Sequence, residues 1–232
     1  MDELTEPLSP VRRAGAIDRC VARAICLPRG HWRVPCTDLT PDGIGLLVLR
    51  GQLIRCQGVE GGFCAELLGQ GDLLRPWQGA DGQSMLLHTS GWRVLESARV
   101  AVLDRLAATR LAGYPELTGS LVAKALERSR NLAVAMAIAR HKRVEVRVHM
   151  LFWHLADRWG RVRLDGVVVP LRLSRWMLGD LVLAERESVS AALSSLARRG
   201  LLRYSGGEWL LWGDPPRELL QLEPNRFATN EA

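Results

Sequence analysis

Residues 116–160, ELTGSLVAKALERSRNLAVAMAIARHKRVEVRVHMLFWHLADRWG, contain no proline, and their two glycines, Gly119 and Gly160, stand near the ends. A stretch so long without a breaker is far beyond the reach of a strand and longer than an ordinary globular helix, so it predicts two helices in succession. In the first, Leu121, Ala125, Leu132, Ala135 and Ala139 share one stripe, and Val122, Leu126 and Ala133 share an adjacent one. Two apolar stripes on one helix demand two packing partners. The chain's own β unit can supply one. The other is either a symmetry-related helix, approached closely across small residues, or the rest of a monomer.

What flanks this stretch narrows the fold. From Gly45 to about Leu103 the chain runs in short apolar segments broken by glycine, GLLVLRGQLIRCQGVEGGFCAELLGQGDLL and then SMLLHTSGWRVLESARVAVLD, the pattern of an antiparallel all-β unit. VEGG, between LIRCQG and FCAELL, reads as a hairpin connection. On the other side come RVRLDGVVVPL, with Asp165-Gly166 as a hairpin signal, then two short helical patterns in residues 173–202, then LLRYSGGEWLLWG with a second hairpin at Gly206-Gly207. Helix, hairpin, two helices, hairpin is the order of a winged helix-turn-helix. The fold class is therefore α+β: an N-terminal antiparallel, jelly-roll-like β-roll (residues 1–112), a long helix (113–143) and a winged helix-turn-helix (144–232). RELLQL near the C-terminus could add a short helix.

Charge is placed as this order suggests. The formal net charge is +6. Residues 140–203 alone carry thirteen basic side chains against six acidic ones, so the whole surplus lies in the C-terminal segment, where a polyanion-binding module belongs.

Within that segment the second short helix opens on Arg186, Glu187 and Ser188. In a helix-turn-helix the second helix enters the major groove N-terminus first. Arg186 can fork onto guanine O6 and N7, Glu187 can accept from cytosine N4, and Ser188 can reach a phosphate or base. Behind them Val189, Leu193 and Leu196 recur at helical spacing and are expected to pack on Leu178, Leu181 and Val182. Ser174 is placed to cap the first helix and, with Arg175, to touch a phosphate. The candidate DNA-binding residues are Ser174, Arg175, Arg186, Glu187, Ser188 and Ser190. Arg198 and Arg199, in the last turn, complement the helix dipole or meet the DNA backbone.

These residues resemble the Crp/Fnr superfamily of bacterial transcription regulators, whose DNA-binding pattern is matched by LSR at residues 173–175 and RESV at 186–189. VLRGQLI (48–54) and LLGQGDLL (67–74) resemble the turn-bearing strands of cyclic-nucleotide-binding domains. The resemblance implies a homodimer on double-stranded DNA, with RNA polymerase as a further partner. The long helix becomes the dimerisation helix, with Leu121, Ala125, Arg128, Leu132, Ala135 and Ala139 as the candidate dimer interface.

The departures bear on the signal. Nucleotide-binding members carry a Gly-Glu-Leu segment that holds the ribose and an Arg-Ser/Thr-Ala segment whose arginine holds the cyclic phosphate. Here the first reads RPW (75–77) and the second TSG (89–91), so the forked cation that a buried phosphate needs is missing. Control by cyclic AMP in the usual mode is not expected. Arg75 or Arg93 is the residue that could substitute in a rearranged pocket. In the recognition helix Ala191 replaces a second arginine that some members carry, and Glu185 stands where a small cap is usual.

All five cysteines, Cys20, Cys26, Cys36, Cys56 and Cys64, lie in the first third. An odd number argues against a disulfide framework. Cys20, Cys26 and Cys36 with Cys56 or Cys64 are numerous enough for an iron–sulfur cluster, but their spacing is not the family's tight one, and no cofactor is expected. Haem would have to use His31 or His88, and Trp32, Trp77 and Trp92 could line an apolar effector pocket or simply pack the core. No nucleophile elbow, phosphate-binding glycine loop or metal spacing is present, and His149 and His154 stand five apart rather than four, so an enzyme is not expected. The acidic start MDELTEPLSP is unlike a signal peptide and no window reaches a membrane span, which predicts a cytoplasmic protein without a membrane partner. The rival to a DNA-binding regulator is a ligand-sensing or protein-interaction module whose winged helix has lost DNA binding.

Overall fold

The computed structural model describes residues 2–34, 42–59, 62–77 and 89–220. The chain divides into two compact units, Met1–Ala133 and Val134–Ala232. In chain order the first holds α1 (Asp2–Thr5), α2 (Pro10–Arg19), β1 (Arg23–Leu27), β2 (Gly30–His31), β3 (Gly45–Arg50), β4 (Leu53–Val59), β5 (Gly62–Leu68), β6 (Leu73–Leu74), β7 (Thr89–Val94), β8 (Ala98–Leu103), α3 (Arg105–Leu111) and the greater part of α4 (Pro115–Ala139). The second holds the end of α4, then α5 (Val144–Trp159), β9 (Arg161–Arg163), β10 (Gly166–Val169), α6 (Arg175–Val182), α7 (Arg186–Arg198), β11 (Leu202–Ser205), β12 (Glu208–Leu211) and α8 (Arg217–Leu220).

In the first unit two four-stranded antiparallel sheets, β1-β8-β3-β6 and β2-β7-β4-β5, form the β-roll. Their facing sides share one core, with Leu46, Val48, Val100 and Val102 from the first sheet against Leu53, Leu68, Trp92 and Val94 from the second. The alternate residues of the first sheet, Leu47, Ala101 and Leu103, join Leu8, Ala16, Ala107, Leu111, Leu117 and Leu121 in a second core on the sheet's other face. This explains why β3 and β8 read as nearly continuous apolar runs: both faces of their sheet are covered. The expected hairpin around VEGG is present, with β4 and β5 paired from Leu53↔Leu68 to Val59↔Gly62. Trp32 meets Trp92 edge-on at 5.6 Å, and Trp32 and Trp77 both pack against the roll's core, so these tryptophans serve packing.

The predicted pair of helices is α4 and α5, separated at residues 140–143. In the second unit α5 supplies the central apolar column: Val148, Phe152 and Leu155 are almost wholly buried. The Phe152 ring lies 4.6 Å from that of Trp209 on β12, and truncating such an aromatic to alanine typically costs about 3–5 kcal/mol. The strands form a four-stranded sheet in the order β11-β12-β10-β9. Its β11–β12 hairpin turns at Gly206-Gly207 as expected. The Asp165-Gly166 hairpin differs in detail: the connection is Leu164-Asp165, and Gly166 is the first residue of β10, paired with Arg163. Gly166 has φ +140°, and a Cβ there would run into the Leu211 carbonyl oxygen, so its glycine serves strand entry rather than the turn.

Candidate nucleic-acid interface

The helix-turn-helix is built from α6 and α7, with α5 packed behind both. Ser174 caps α6: its Oγ accepts from the Met177 N–H at 3.2 Å. At the other end Leu183 takes a left-handed conformation (φ 52°), the one non-glycine residue with positive φ among the described residues. The Ala184 N–H then returns to the Gly179 carbonyl at 3.0 Å. A Cβ on Gly179 would lie 2.7 Å from the Ala184 oxygen, so glycine is what lets the turn fold back against the helix.

A left-handed leucine costs about 1–2 kcal/mol, and the turn is secured by a residue the sequence did not single out. From α5, the Arg147 guanidinium donates to the Val182 carbonyl at 2.7 Å and to that of Leu183 at 2.9 Å. It thereby satisfies carbonyls that the end of α6 leaves open. The signal was hidden because Arg147 stands 35 residues from Val182 and looks like one more member of a basic run.

On α7, Val189, Ala192 and Leu196 are buried, and α7 packs against α6, on which Leu178, Leu181 and Val182 are buried too. Ala192 takes the place expected for Leu193, which is only half-buried. Arg186, Glu187 and Ser188 are exposed on the first turn, and Glu185 provides no side-chain cap. The first peptide N–H groups of that turn are therefore left without a side-chain cap. The side chains of Arg175, Arg186 and Arg198 are exposed and have no hydrogen-bond or ion-pair partner among the described residues. Ser190 is placed differently: its hydroxyl donates back to the Arg186 carbonyl at 2.9 Å, which leaves only its lone pairs for a ligand.

Arg199 belongs to the scaffold. It is ion-paired with Glu145 of α5. Burial works against ionisation of Glu145, yet hydrogen bonds from Ser195 and Arg199 and the charges of Arg199 and Arg143 hold its carboxyl below the usual range. Nearby on α5, His149 accepts from the Trp153 indole N–H at 3.0 Å, and burial, reinforced by the Arg199 charge, lowers its pKa. His149 and His154 are both buried structural histidines.

The candidate dimer residues divide by side of α4. Leu121 is 4% exposed within the first unit's core, and Arg128 makes a forked pair with Glu66, at 2.7 and 2.8 Å, while donating to the Leu73 carbonyl. These two are turned toward their own unit, because closing the sheet's outer core requires that side of the helix. Ala125 and Leu132 are exposed, and Ala135 and Ala139 are half-buried. The open face is the other predicted stripe, Val122 at 54% and Leu126 at 67% exposed, joined by Leu132 at 41%.

The remaining expectations fall elsewhere. Among the described residues no group of three or more His, Cys, Asp or Glu is arranged to hold a metal ion. Cys20 and Cys56 are half-buried and Cys26 and Cys64 exposed, while Cys36 and His88 lie outside the described residues. His31 receives the Arg93 guanidinium at 3.0 Å. Arg75 lies over Trp77, and of the TSG segment only the backbone and Gly91 are described. No helix among the described residues is long and apolar enough to cross a membrane.

Residues 146–217 match the family model of the Crp-like helix-turn-helix domain. No curated protein sequence matches the chain. Among solved structures, a cyclic nucleotide-binding domain containing protein from Listeria monocytogenes aligns with 90% of this chain and 97% of its own at TM-score 0.66 and 12% identity. FixK2 from Bradyrhizobium japonicum aligns with 83% of this chain and 93% of its own at TM-score 0.60 and 20% identity. A CRP-family transcriptional regulator from Thermus thermophilus aligns with 82% of this chain and 92% of its own at TM-score 0.52 and 18% identity. Residues 146–217 are thus a Crp-like helix-turn-helix domain, and the chain as a whole has the fold of the Crp/Fnr-type regulators.

Proposed function

We propose that the chain is a homodimeric, sequence-specific DNA-binding transcription regulator of the Crp/Fnr type, one not controlled by cyclic AMP in the usual mode. The observation that carries this reading is the first turn of α7: Arg186 and Glu187 stand exposed at the uncapped entry of the second helix of a Crp-like helix-turn-helix, with α6 and α5 fixing that helix from behind. A fork-shaped cation and a carboxylate at that position supply a donor and an acceptor for base edges, and Arg175 at the start of α6 supplies a phosphate contact. The exposed apolar face of α4 supports self-association, since Val122, Leu126 and Leu132 are large side chains left in water by their own unit. Two copies then present two recognition helices to successive major grooves. Phosphate neutralisation dominates affinity, so binding falls steeply with salt. A signal in the β-roll acts by shifting the balance between competent and incompetent dimers. Independence from cyclic AMP rests on the Thr89 to Gly91 segment, which offers no arginine to a cyclic phosphate.

The test is selection from a randomised DNA pool by the purified full-length protein, with and without cyclic AMP. The expected result is a symmetric motif whose half-sites are about 10 base pairs apart, enriched equally in both conditions. No enrichment in either condition overturns the DNA-binding reading in favour of a protein-interaction module, and enrichment only with cyclic AMP overturns the proposed independence.

A further inference from the structure

The first unit contains a cavity of about 380 Å³ between the outer face of its first sheet and the helices that cover it. It lies outside the roll's interior, on the side where α2, α3 and α4 pack. Its floor is Leu49 and Ala101 of the sheet, its walls include Ile17 of α2, Cys20 just beyond the end of α2 and Leu121 of α4, and apart from Thr5 the remaining uncharged lining is aliphatic. Arg99 is the one charged residue among the residues that line it.

Position along β8 tells where that charge sits. Alternate residues of a strand share a face, so Arg99, Ala101 and Leu103 follow one another across the sheet's outer side at about 6.6 Å intervals. Leu103 and Ala101 are buried, at 7% and 8%, whereas Arg99 is exposed. The guanidinium therefore stands at the mouth and the aliphatic floor leads inward from it. The Arg99 side chain has no hydrogen-bond or ion-pair partner among the described residues. Protein interiors rarely leave voids much larger than a water molecule, and 380 Å³ falls within the range of small-molecule pockets.

We propose that this cavity is a binding site for an unbranched aliphatic monocarboxylate of medium chain length, its carboxylate paired with Arg99 and its chain laid over Ala101 between α2 and α4. The single cation selects one anionic head, and the lining offers no second charge along the chain. Cys20, whose thiol is held protonated by burial despite the nearby Arg110 charge, acts as part of the apolar wall.

The experiment is calorimetric titration of the full-length protein with hexanoate, octanoate, decanoate, dodecanoate and decanol, on the wild type and on Arg99→Gln and Ala101→Leu. The expected result is saturable one-to-one binding that strengthens about threefold to fourfold per methylene and then stops improving once the chain fills the cavity. Arg99→Gln lowers carboxylate affinity about tenfold and leaves decanol unchanged. Ala101→Leu fills the floor, keeps a cooperative thermal transition and abolishes binding of the longer chains. Decanoate also slows maleimide labelling of Cys20, read by peptide mass, while exposed Cys26 and Cys64 label at an unchanged rate. Affinity that keeps rising with chain length, is indifferent to Arg99→Gln and leaves Cys20 labelling untouched is adventitious adsorption and overturns the proposal, as does the absence of binding. Because Arg99→Gln alters an exposed side chain, its comparison of carboxylate with alcohol decides the matter even if Ala101→Leu fails to fold.

Discussion

Helices α4 and α7 are both amphipathic by sequence, yet they use opposite sides. On α7 the apolar stripe is consumed within its own unit, with Val189, Ala192 and Leu196 buried, and what faces outward is Arg186, Glu187, Ser188, Ser194 and Arg198. On α4 the inward side takes Leu117, Leu121 and the forked Arg128–Glu66 pair, and what faces outward is Val122, Leu126 and Leu132. A surface of donors, acceptors and positive charge suits a hydrated groove lined with phosphates. A surface of aliphatic side chains suits another aliphatic surface. The outward chemistry of a helix, more than its overall amphipathicity, therefore separates the two partners in this reading, and the two surfaces can be broken independently.

The largest effect is expected on α4. Leu126→Glu places a carboxylate in the centre of the exposed apolar face without touching the core, where Leu126 makes no contribution. Sedimentation equilibrium should show the dimer weakened by a hundredfold or more, and site-specific DNA binding should fall with it, while thermal unfolding of the first unit stays where it was. If Leu126→Glu leaves self-association intact, the α4 face is not the seam. A matching Leu121→Glu should instead prevent the first unit from folding, because Leu121 is inside it.

Next in size is the support of the turn between α6 and α7. Arg147→Ala removes charge-assisted bonds to two carbonyls and uncovers a left-handed Leu183, and should destabilise the second unit by about 2–3 kcal/mol in denaturant unfolding. Self-association through α4 should survive it. This sharpens the comparison, since it separates loss of the α7 scaffold from loss of the α4 face.

These two helices also show how much was legible. The order of elements, the two hairpins of the second unit, the Ser174 cap and the exposed first turn of α7 could all be read from local pattern, because each depends on residues within a few positions of one another. Which stripe of α4 faces inward could not be read. That choice is made by Glu66, far away on β5, which draws Arg128 inward, and by the sheet face that needs Leu117 and Leu121. Arg147, Arg199 and the cavity behind β8 were missed for the same reason. A basic residue that closes a turn and one that awaits a phosphate look identical until the partner, 35 residues away for Arg147 and 54 for Arg199, is brought beside it.

A smaller effect distinguishes the residues of the α7 surface from one another. Arg186→Ala should cost about 2 kcal/mol on the selected site and much less on random DNA, flattening base preference at one position of each half-site. Arg175→Ala should weaken both DNAs alike and reduce the salt dependence by about one counterion per half-site. Competition binding at several salt concentrations reads both. Equal losses from Arg186→Ala on the two DNAs would remove Arg186 as a base reader while leaving α7 in the groove.

The smallest effect comes from pH, and it touches only the α7 side. His149 has a folded pKa below its ordinary 6.5, first because burial disfavours the charged ring and then because Arg199 is near. Its contribution to stability is therefore present above 6.5 and is lost as pH falls from there through the folded value, since over that interval the unfolded chain binds the proton more readily. Glu145, depressed below its ordinary 4.5 by Ser195 and Arg199, adds a further loss as pH falls below 4.5. The apolar face of α4 contains no titrating group at Val122, Ala125, Leu126 or Leu132. Between about pH 7.5 and 5.5 the thermal transition of the second unit should move down while the dimer constant stays level. His149→Gln should flatten the first of these changes, because glutamine can still accept from Trp153 without taking up a proton. A dimer constant that falls in parallel with the transition would mean that the two surfaces are not independent, and that folding of the α5–α7 scaffold governs both.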